Sequence, residues 1–150
     1  MSIQHRVLSG ATLAVVCLAT MAADCRPTGL PHFGCVQRVR TPPTSYIPED
    51  EPHHAWVHTI VEARCDVRPR SHHMRIALDR KLTQSGRWRE MISDEFPGIP
   101  PKEDTRLYAL TFTVCIPGWW RTRIVVTGQD SKGREYRADP PEVRSYVTCE

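Results

Sequence analysis

The sequence contains no asparagine and only three lysines, against 17 arginines, among its 150 residues. Because N-linked glycans attach to asparagine, this chain cannot carry one. Both biases are typical of a GC-rich genome. The net charge of +3 at pH 7 is too small to indicate a nucleic-acid partner, and we predict none.

Motifs that would indicate catalysis are also missing. No serine lies in a G-x-S-x-G element, no H-E-x-x-H pair is present, and no glycine-rich phosphate loop follows a predicted strand. The cysteines show no C-x-x-C spacing, which argues against a cysteine-based zinc site. We therefore predict no catalytic residues and no cofactor, and we expect that the protein is not an enzyme.

The one long apolar run lies near the beginning of the chain. Arg6 precedes the largely apolar residues 7–18, and small side chains follow at Ala22 and Ala23. This order is typical of a secretory signal peptide, and the run of about 15 residues is shorter than the roughly 20 of a transmembrane helix. We predict that residues 1–23 form a cleaved signal helix, that the protein is secreted, and that it meets a membrane only through this segment before cleavage.

Five cysteines remain once residues 1–23 are removed, and an oxidising compartment favours their pairing. We predict a Cys65–Cys115 bridge, because each cysteine lies near the end of an apolar, β-rich segment. A Cys35–Cys149 bridge would then join the start of the domain to its last strand, with Cys25 as a possible free thiol. The alternative is a Cys25–Cys35 bridge that leaves Cys149 free.

Proline dominates the region that follows the signal. Residues 24–54 contain six prolines, which remove backbone donors and fix φ. We predict an irregular segment here, in which only residues 35–40 form a short strand and residues 41–52 form a proline-rich connector.

Strand patterns recur through residues 55–150, which we predict to be a disulfide-braced β-sandwich domain. Branched and aromatic residues alternate with polar ones at period 2, as in half-buried strands. The predicted strands are residues 55–67, 73–82, 87–92, 106–115, 120–126, 135–138 and 143–149. Residues 96–104 are predicted to be a loop because of their prolines and glycine. About seven short strands between regular turn signals predict an all-β antiparallel sandwich, immunoglobulin-like in general architecture.

The order of these elements carries a resemblance. Gly34-Cys35-Val36, a strand ending in Cys65, the Leu110–Cys115 strand, Trp120-Arg-Thr-Arg and a terminal Tyr146-Val-Thr-Cys149 follow one another after the export signal. This arrangement resembles small secreted β-sandwich proteins of actinobacteria, most of them uncharacterised. The resemblance implies a disulfide-linked extracellular sandwich and no particular activity.

Histidines form one candidate site. His54 and His58 share a face of the first predicted strand with Trp56. Neutral imidazoles bind zinc and copper, so His54 and His58 are candidate metal ligands. The alternative interpretation is a pair of solvated histidines at a strand end.

Arginines and tryptophans form the other candidates. Residues 64–81 hold six basic side chains against two aspartates, and Arg68 and Arg70 are candidate ligands for phosphate or for a sulfated or uronic polymer. A solvated face is the alternative. Trp119 and Trp120 point to opposite faces of a strand, so one can pack in the core while the other binds a sugar or a partner.

Three classes of function remain as expectations. The first is a non-enzymatic extracellular binding or structural module, whose partner is an unknown extracellular protein or cell-envelope polymer. The second is a secreted inhibitor of proteases or other enzymes, presenting residues 96–104 or 115–119 as its loop. The third is a small metal-dependent hydrolase.

Overall fold

The computed structural model describes residues 34–149, which form eight β-strands and no helix. The strands are β1 (Cys35–Tyr46), β2 (Trp56–Cys65), β3 (Ser71–Lys81), β4 (Arg89–Pro97), β5 (Arg106–Phe112), β6 (Gly118–Gln129), β7 (Glu135–Ala138) and β8 (Val143–Val147). The predicted signal helix at residues 1–23 and the possible free thiol of Cys25 lie outside the described residues.

The strands form two antiparallel sheets that share one core. The first sheet has the order β1-β2-β5, and the second has the order β4-β3-β6-β7, with β8 also paired to β6. Buried side chains from both sheets belong to a single hydrophobic cluster. The predicted all-β antiparallel sandwich is therefore confirmed.

Period-2 alternation decides which side chains enter this core. Val57 and Val61 of β2 and Ile124 of β6 are fully or almost fully buried, as the alternation predicts. Two buried threonines meet between the sheets, where the hydroxyls of Thr59 and Thr122 lie 2.7 Å apart. Thr59 also donates to the Thr41 carbonyl, so this polar pair is satisfied inside an apolar core.

Strand β1 extends further than the sequence predicted. Residues 41–46, predicted to belong to an irregular connector, continue the strand and pair with β2. Its register shifts twice, between Val39 and Thr41 and between Thr41 and Thr44, which places Pro42 and Pro43 at a bulge. Because β1 is an edge strand, a bulge there tolerates residues that lack a backbone donor.

Strand β4 is also displaced from its predicted position. We predicted a strand at residues 87–92 and a loop at residues 96–104, but β4 begins at Arg89 and ends at Pro97. It pairs with β3 along the edge of the second sheet, where a terminal proline is tolerated. Trp88 is thereby excluded from the strand and lies in the turn before it.

All four cysteines of residues 34–149 are oxidised, but in different pairs from those predicted. The first disulfide joins Cys35 to Cys65. These residues lie directly opposite each other in the antiparallel β1–β2 ladder, and both side chains face the core. The predicted Cys35–Cys149 bridge and the alternative Cys25–Cys35 bridge are therefore wrong, because Cys35 pairs across neighbouring strands of one sheet.

The second disulfide joins Cys115 to Cys149. Gly118 pairs with Val147, so the chain just before β6 meets the chain just after β8. The predicted Cys65–Cys115 bridge is wrong because β2 and β5 run antiparallel. The β2–β5 register puts Ala63, two residues before Cys65, opposite Arg106 at the start of β5, whereas Cys115 follows the end of β5.

Candidate functional site

The two adjacent tryptophans divide between the core and the surface. Trp120 is fully buried and its indole N–H donates to the Ile116 carbonyl at 2.9 Å. Trp119 is half-buried on the other face of β6, where its ring packs edge-on against Tyr146 with centroids 5.5 Å apart. Trp120 is therefore a core residue, and of the two predicted binding tryptophans only Trp119 reaches the surface.

The two predicted binding arginines lie in the connection between β2 and β3. Arg68 and Arg70 are both exposed. The Arg70 guanidinium lies against the turn at Gly133, where an added Cβ would come within 2.9 Å of it. Arg68 and Arg70 do not line the cleft described below.

The predicted metal ligands His54 and His58 occupy different environments. His54 is exposed, whereas His58 is half-buried and its ring packs on Tyr46 with centroids 5.3 Å apart. The Nδ1 atom of His58 has no hydrogen-bond partner among the described residues. Neither histidine belongs to the one group of three potential metal ligands found within residues 34–149.

The loops predicted to present an inhibitory segment are held against the domain. In the 96–104 region, Pro101 accepts a hydrogen bond from the Cys65 N–H at 3.0 Å, and Gly98 donates to the His72 carbonyl at 3.1 Å. In the 115–119 region, Cys115 is bonded to Cys149 in a disulfide. Each segment is therefore anchored to the domain at one or more residues, while residues 101–104 are exposed.

A basic cleft lies at the end of the β3–β4 hairpin. It has a volume of about 740 Å³. Its charged lining consists of four cations with no acidic residue, and its other walls are largely apolar. The cationic residues are Arg80, Lys81, Arg87 and Arg89, and the remaining ones are Leu82, Thr83, Gly86, Trp88, Met91 and Ile116.

Hairpin pairing brings these cations together. Arg80 of β3 lies directly opposite Arg89 of β4, and Lys81 and Arg87, on the two sides of the turn, line the same cleft. The Gly86 N–H donates to the Thr83 carbonyl at 3.0 Å, which closes the turn, and the Lys81 ammonium donates to the Gln84 carbonyl. Like charges directly opposite in a ladder destabilise a sheet, so this pair opposes folding.

Trp88 gives the cleft an aromatic wall. Its ring is approached by Lys81 at 4.7 Å, Arg121 at 4.6 Å and Arg144 at 5.7 Å from the ring centroid. Cation–π contacts of this kind attract a cation to the ring face. The half-buried indole therefore orders a group of basic side chains around the cleft.

The cations of this region differ in how far they are neutralised. Arg121 pairs with Asp79 at 2.7 Å and with Glu142 at 2.6 Å. Among the described residues, Arg87 and Arg89 have no ion-pair partner, and the buried Nε of Arg80 has no hydrogen-bond acceptor. A buried donor without a partner is costly, and of this guanidinium it is Nη2 that donates, to the Pro117 carbonyl at 2.6 Å.

Sequence patterns indicated a role for only two of the four cations that line this cleft. Arg80 and Lys81 belong to the basic stretch at residues 64–81, but Arg87, Trp88 and Arg89 were assigned to a strand without a role. Ser85-Gly86, between the two predicted strands at residues 73–82 and 87–92, is a sequence typical of a turn. A hairpin around that turn places the end of β3 opposite the start of β4, and both ends are basic.

A second buried polar group lies at the other end of the core. His72 is buried, and its Nδ1 lies 3.2 Å from the Gly98 carbonyl while its Nε2 lies 3.0 Å from the Gln37 amide nitrogen. Burial lowers the pKa of His72 below its ordinary value of 6.5, against the opposing effect of the hydrogen bond to Gly98. The folded state therefore favours neutral His72.

This shift predicts a loss of stability in mild acid. Below the ordinary histidine pKa of 6.5, the unfolded chain binds a proton that folded His72 binds only at lower pH. The free energy of unfolding should therefore fall between about pH 7 and about pH 5. Burial also lowers the pKa of His58, which adds to the same trend.

Urea unfolding at several pH values checks this prediction. In His72→Gln the fall between those pH values should be smaller than in the wild type, because one group with a depressed pKa is gone. His73→Gln should reduce the fall by less, because it removes only the coulombic effect of His73 on the His72 pKa, which is smaller than the effect of burial. An unchanged slope in His72→Gln would contradict the assignment.

Within the described part of the chain, no helix has the length and apolar character needed to cross a bilayer.

No protein-family model and no curated protein matches the chain. A solved structure of Spo0M, a sporulation control protein from Bacillus subtilis, is 12% identical, with a TM-score of 0.34 over 77% of this chain and 49% of that one. The structure of a β-glucosidase from Kluyveromyces marxianus in complex with glucose is 10% identical, with a TM-score of 0.34 over 80% of this chain. The chain spans about half of the Spo0M structure and 15% of the β-glucosidase. Neither similarity is close enough to carry a function across.

Proposed function

We propose that this protein is a secreted, non-enzymatic binding module that holds an anionic cell-envelope polymer in the basic cleft at the end of the β3–β4 hairpin. Its export is supported by the signal pattern of residues 1–23 and by two disulfides, which persist in oxidising compartments. The partner is a chain of repeating carboxylate, sulfate or phosphate groups.

One observation carries this proposal: four cations and no acidic residue line the cleft. Guanidinium groups bind oxyanions with paired, charge-assisted hydrogen bonds. Arg87 and Arg89 are exposed and have no ion-pair partner within residues 34–149, so they do not have to break an internal ion pair to bind.

The apolar part of the cleft favours a polymer over a free ion. Trp88 and Met91 lie beside the cations, and Leu82 at the rim is 74% exposed. A sugar ring or a polymer backbone can cover such surface while its charged groups meet the arginines. The opposed Arg80–Arg89 pair fits this role, since charge that costs stability in the free protein is neutralised by the ligand.

A charge-reversal pair tests the proposal. Arg87→Glu/Arg89→Glu should weaken binding to an immobilised anionic polymer by roughly tenfold or more, and added salt should weaken the wild type in the same way. Arg68→Glu/Arg70→Glu changes the net charge equally, away from the cleft, and should weaken binding only about twofold. Trp88→Ala should reduce binding without changing the net charge.

The binding experiment compares polymers of different chemistry. Polygalacturonate, dextran sulfate and poly(glycerol phosphate) separate uronic, sulfated and phosphate ligands, and neutral dextran is the control for charge. Equal losses in the two double variants would mean that net charge alone drives binding. That result, or binding to none of the polymers, would refute the proposed function.

A further inference from the structure

Three potential metal ligands lie together in the core, and none of them was predicted to bind a metal. The Sγ atoms of Cys35 and Cys65 and a ring nitrogen of His72 all lie within 4.8 Å of one another. All three residues are buried, with the cysteines 1% and His72 4% exposed. In the oxidised protein the two sulfurs are bonded to each other and have no thiolate charge.

The hydrogen bonds of His72 decide which of its ring nitrogens is free to bind a metal. Its Nδ1 faces the Gly98 carbonyl, which accepts but cannot donate, so the proton of the neutral ring lies on Nδ1. Its Nε2 then carries the lone pair and accepts from the Gln37 amide. A ligating histidine commonly donates its other ring N–H to a backbone carbonyl in this way.

We infer that reduction of the Cys35–Cys65 disulfide creates a buried Zn²⁺ site formed by the two cysteine thiolates and Nε2 of His72. This inference does not depend on the basic cleft or on the proposed polymer ligand. The residues lie on three strands from both sheets, β1, β2 and β3, so the ion would replace a link within one sheet by a link between the two.

Charge favours zinc over other thiophilic ions. Two thiolates and a neutral imidazole balance the charge of Zn²⁺, and a neutral complex avoids the cost of an unpaired charge in an apolar core. Cu⁺ in the same site would leave one buried negative charge. The Gln37 amide, which contacts Nε2 in the oxidised protein, would release that nitrogen to the ion.

The reaction balances in two steps. A phosphine reductant takes one oxygen from water and becomes a phosphine oxide, while the disulfide receives two electrons and two protons to give two thiols. Zn²⁺ then displaces both thiol protons as the two Zn–S bonds form. The sulfurs, which are bonded to each other in the oxidised protein, would separate to about 3.8 Å on a tetrahedral zinc ion.

Cobalt binding to the full chain, reduced by a phosphine without oxygen, tests this inference. Co²⁺ should give a thiolate-to-metal charge-transfer absorption at one ion per chain, and Zn²⁺ should displace it. His72→Gln should weaken the binding by roughly tenfold or more, whereas His73→Gln should leave it unchanged. Cys115→Ser/Cys149→Ser should retain the absorption, and Cys35→Ser/Cys65→Ser should lose it.

Circular dichroism separates a native site from ligands in an unfolded chain. Zn²⁺ should raise the unfolding temperature of the reduced wild type and of His73→Gln, but not of His72→Gln. If reduction unfolds the chain, recovery of the β signal with Zn²⁺ in the wild type and in His73→Gln, but not in His72→Gln, supports the site, because binding and folding are then coupled. Equal binding by His72→Gln, equal binding in urea, or no charge-transfer absorption would overturn the inference.

Discussion

Replacing Trp120 by alanine is expected to lower the free energy of unfolding by about 3–5 kcal/mol. The Trp120 side chain is fully buried, and its ring lies 5.8 Å from the ring of Phe112. Truncation removes this apolar contact, leaves a cavity between the two sheets, and takes the hydrogen bond away from the Ile116 carbonyl. Urea unfolding followed by circular dichroism measures the loss.

Trp119→Ala is the matched control for this prediction. The same residue type is removed one position earlier in β6, but Trp119 is only half-buried and its ring contact is with Tyr146, which is itself 57% exposed. We expect a loss of about 1 kcal/mol. Similar losses in the two variants would contradict the assignment of Trp120 to the core and Trp119 to the surface.

Loss of either disulfide is expected to cost about 4 kcal/mol by the chain-entropy estimate, since the bridges close loops with sequence separations of 30 and 34 residues. Cys35→Ala/Cys65→Ala and Cys115→Ala/Cys149→Ala should therefore be destabilised to a similar extent. Urea unfolding of each double variant against the oxidised wild type measures this effect.

Two controls accompany the disulfide variants. A phosphine reductant should destabilise the wild type more than either double variant, because each variant has only one of the two bridges left to lose. Peptide mass mapping of the oxidised wild type should find Cys35 linked to Cys65 and Cys115 linked to Cys149. A peptide linking Cys65 to Cys115 would contradict this pairing.

Local patterns in the sequence were sufficient to identify most strands and to divide the side chains of each between two faces. Val57, Thr59 and Val61 alternate with more polar neighbours, and the structure buries them completely. The same rule separates Trp119 from Trp120. Period 2 is a property of the backbone itself, so it can be identified without knowing which strands are neighbours.

Pairing between distant segments could not be deduced in this way. Cys65 and Cys115 both lie near the ends of apolar segments, but only the antiparallel β2–β5 register shows that those ends are far apart. The bulge in β1 could not be deduced from local sequence either. Pro42 and Pro43 argue against a strand locally, and only the edge position of β1 in its sheet makes them acceptable.

Only the local part of the basic cleft was predictable from the sequence. A turn at Ser85-Gly86 implies a local hairpin, and a local hairpin implies that Arg80 faces the region of Arg89. The contribution of Arg121 and Arg144 around Trp88 depends on β6 and β8, which are distant in sequence. The cluster of Cys35, Cys65 and His72 likewise requires the packing of one sheet on the other.

The prolines of β1 have a consequence for the behaviour of this protein at high concentration. An open sheet edge can template addition of a strand from a second molecule, which is a route to aggregation. Pro42 and Pro43 offer no N–H to such a strand, and the Pro43 carbonyl already accepts a hydrogen bond from Ser145. The same two residues that interrupt the regular ladder therefore protect this edge of the sandwich from intermolecular growth.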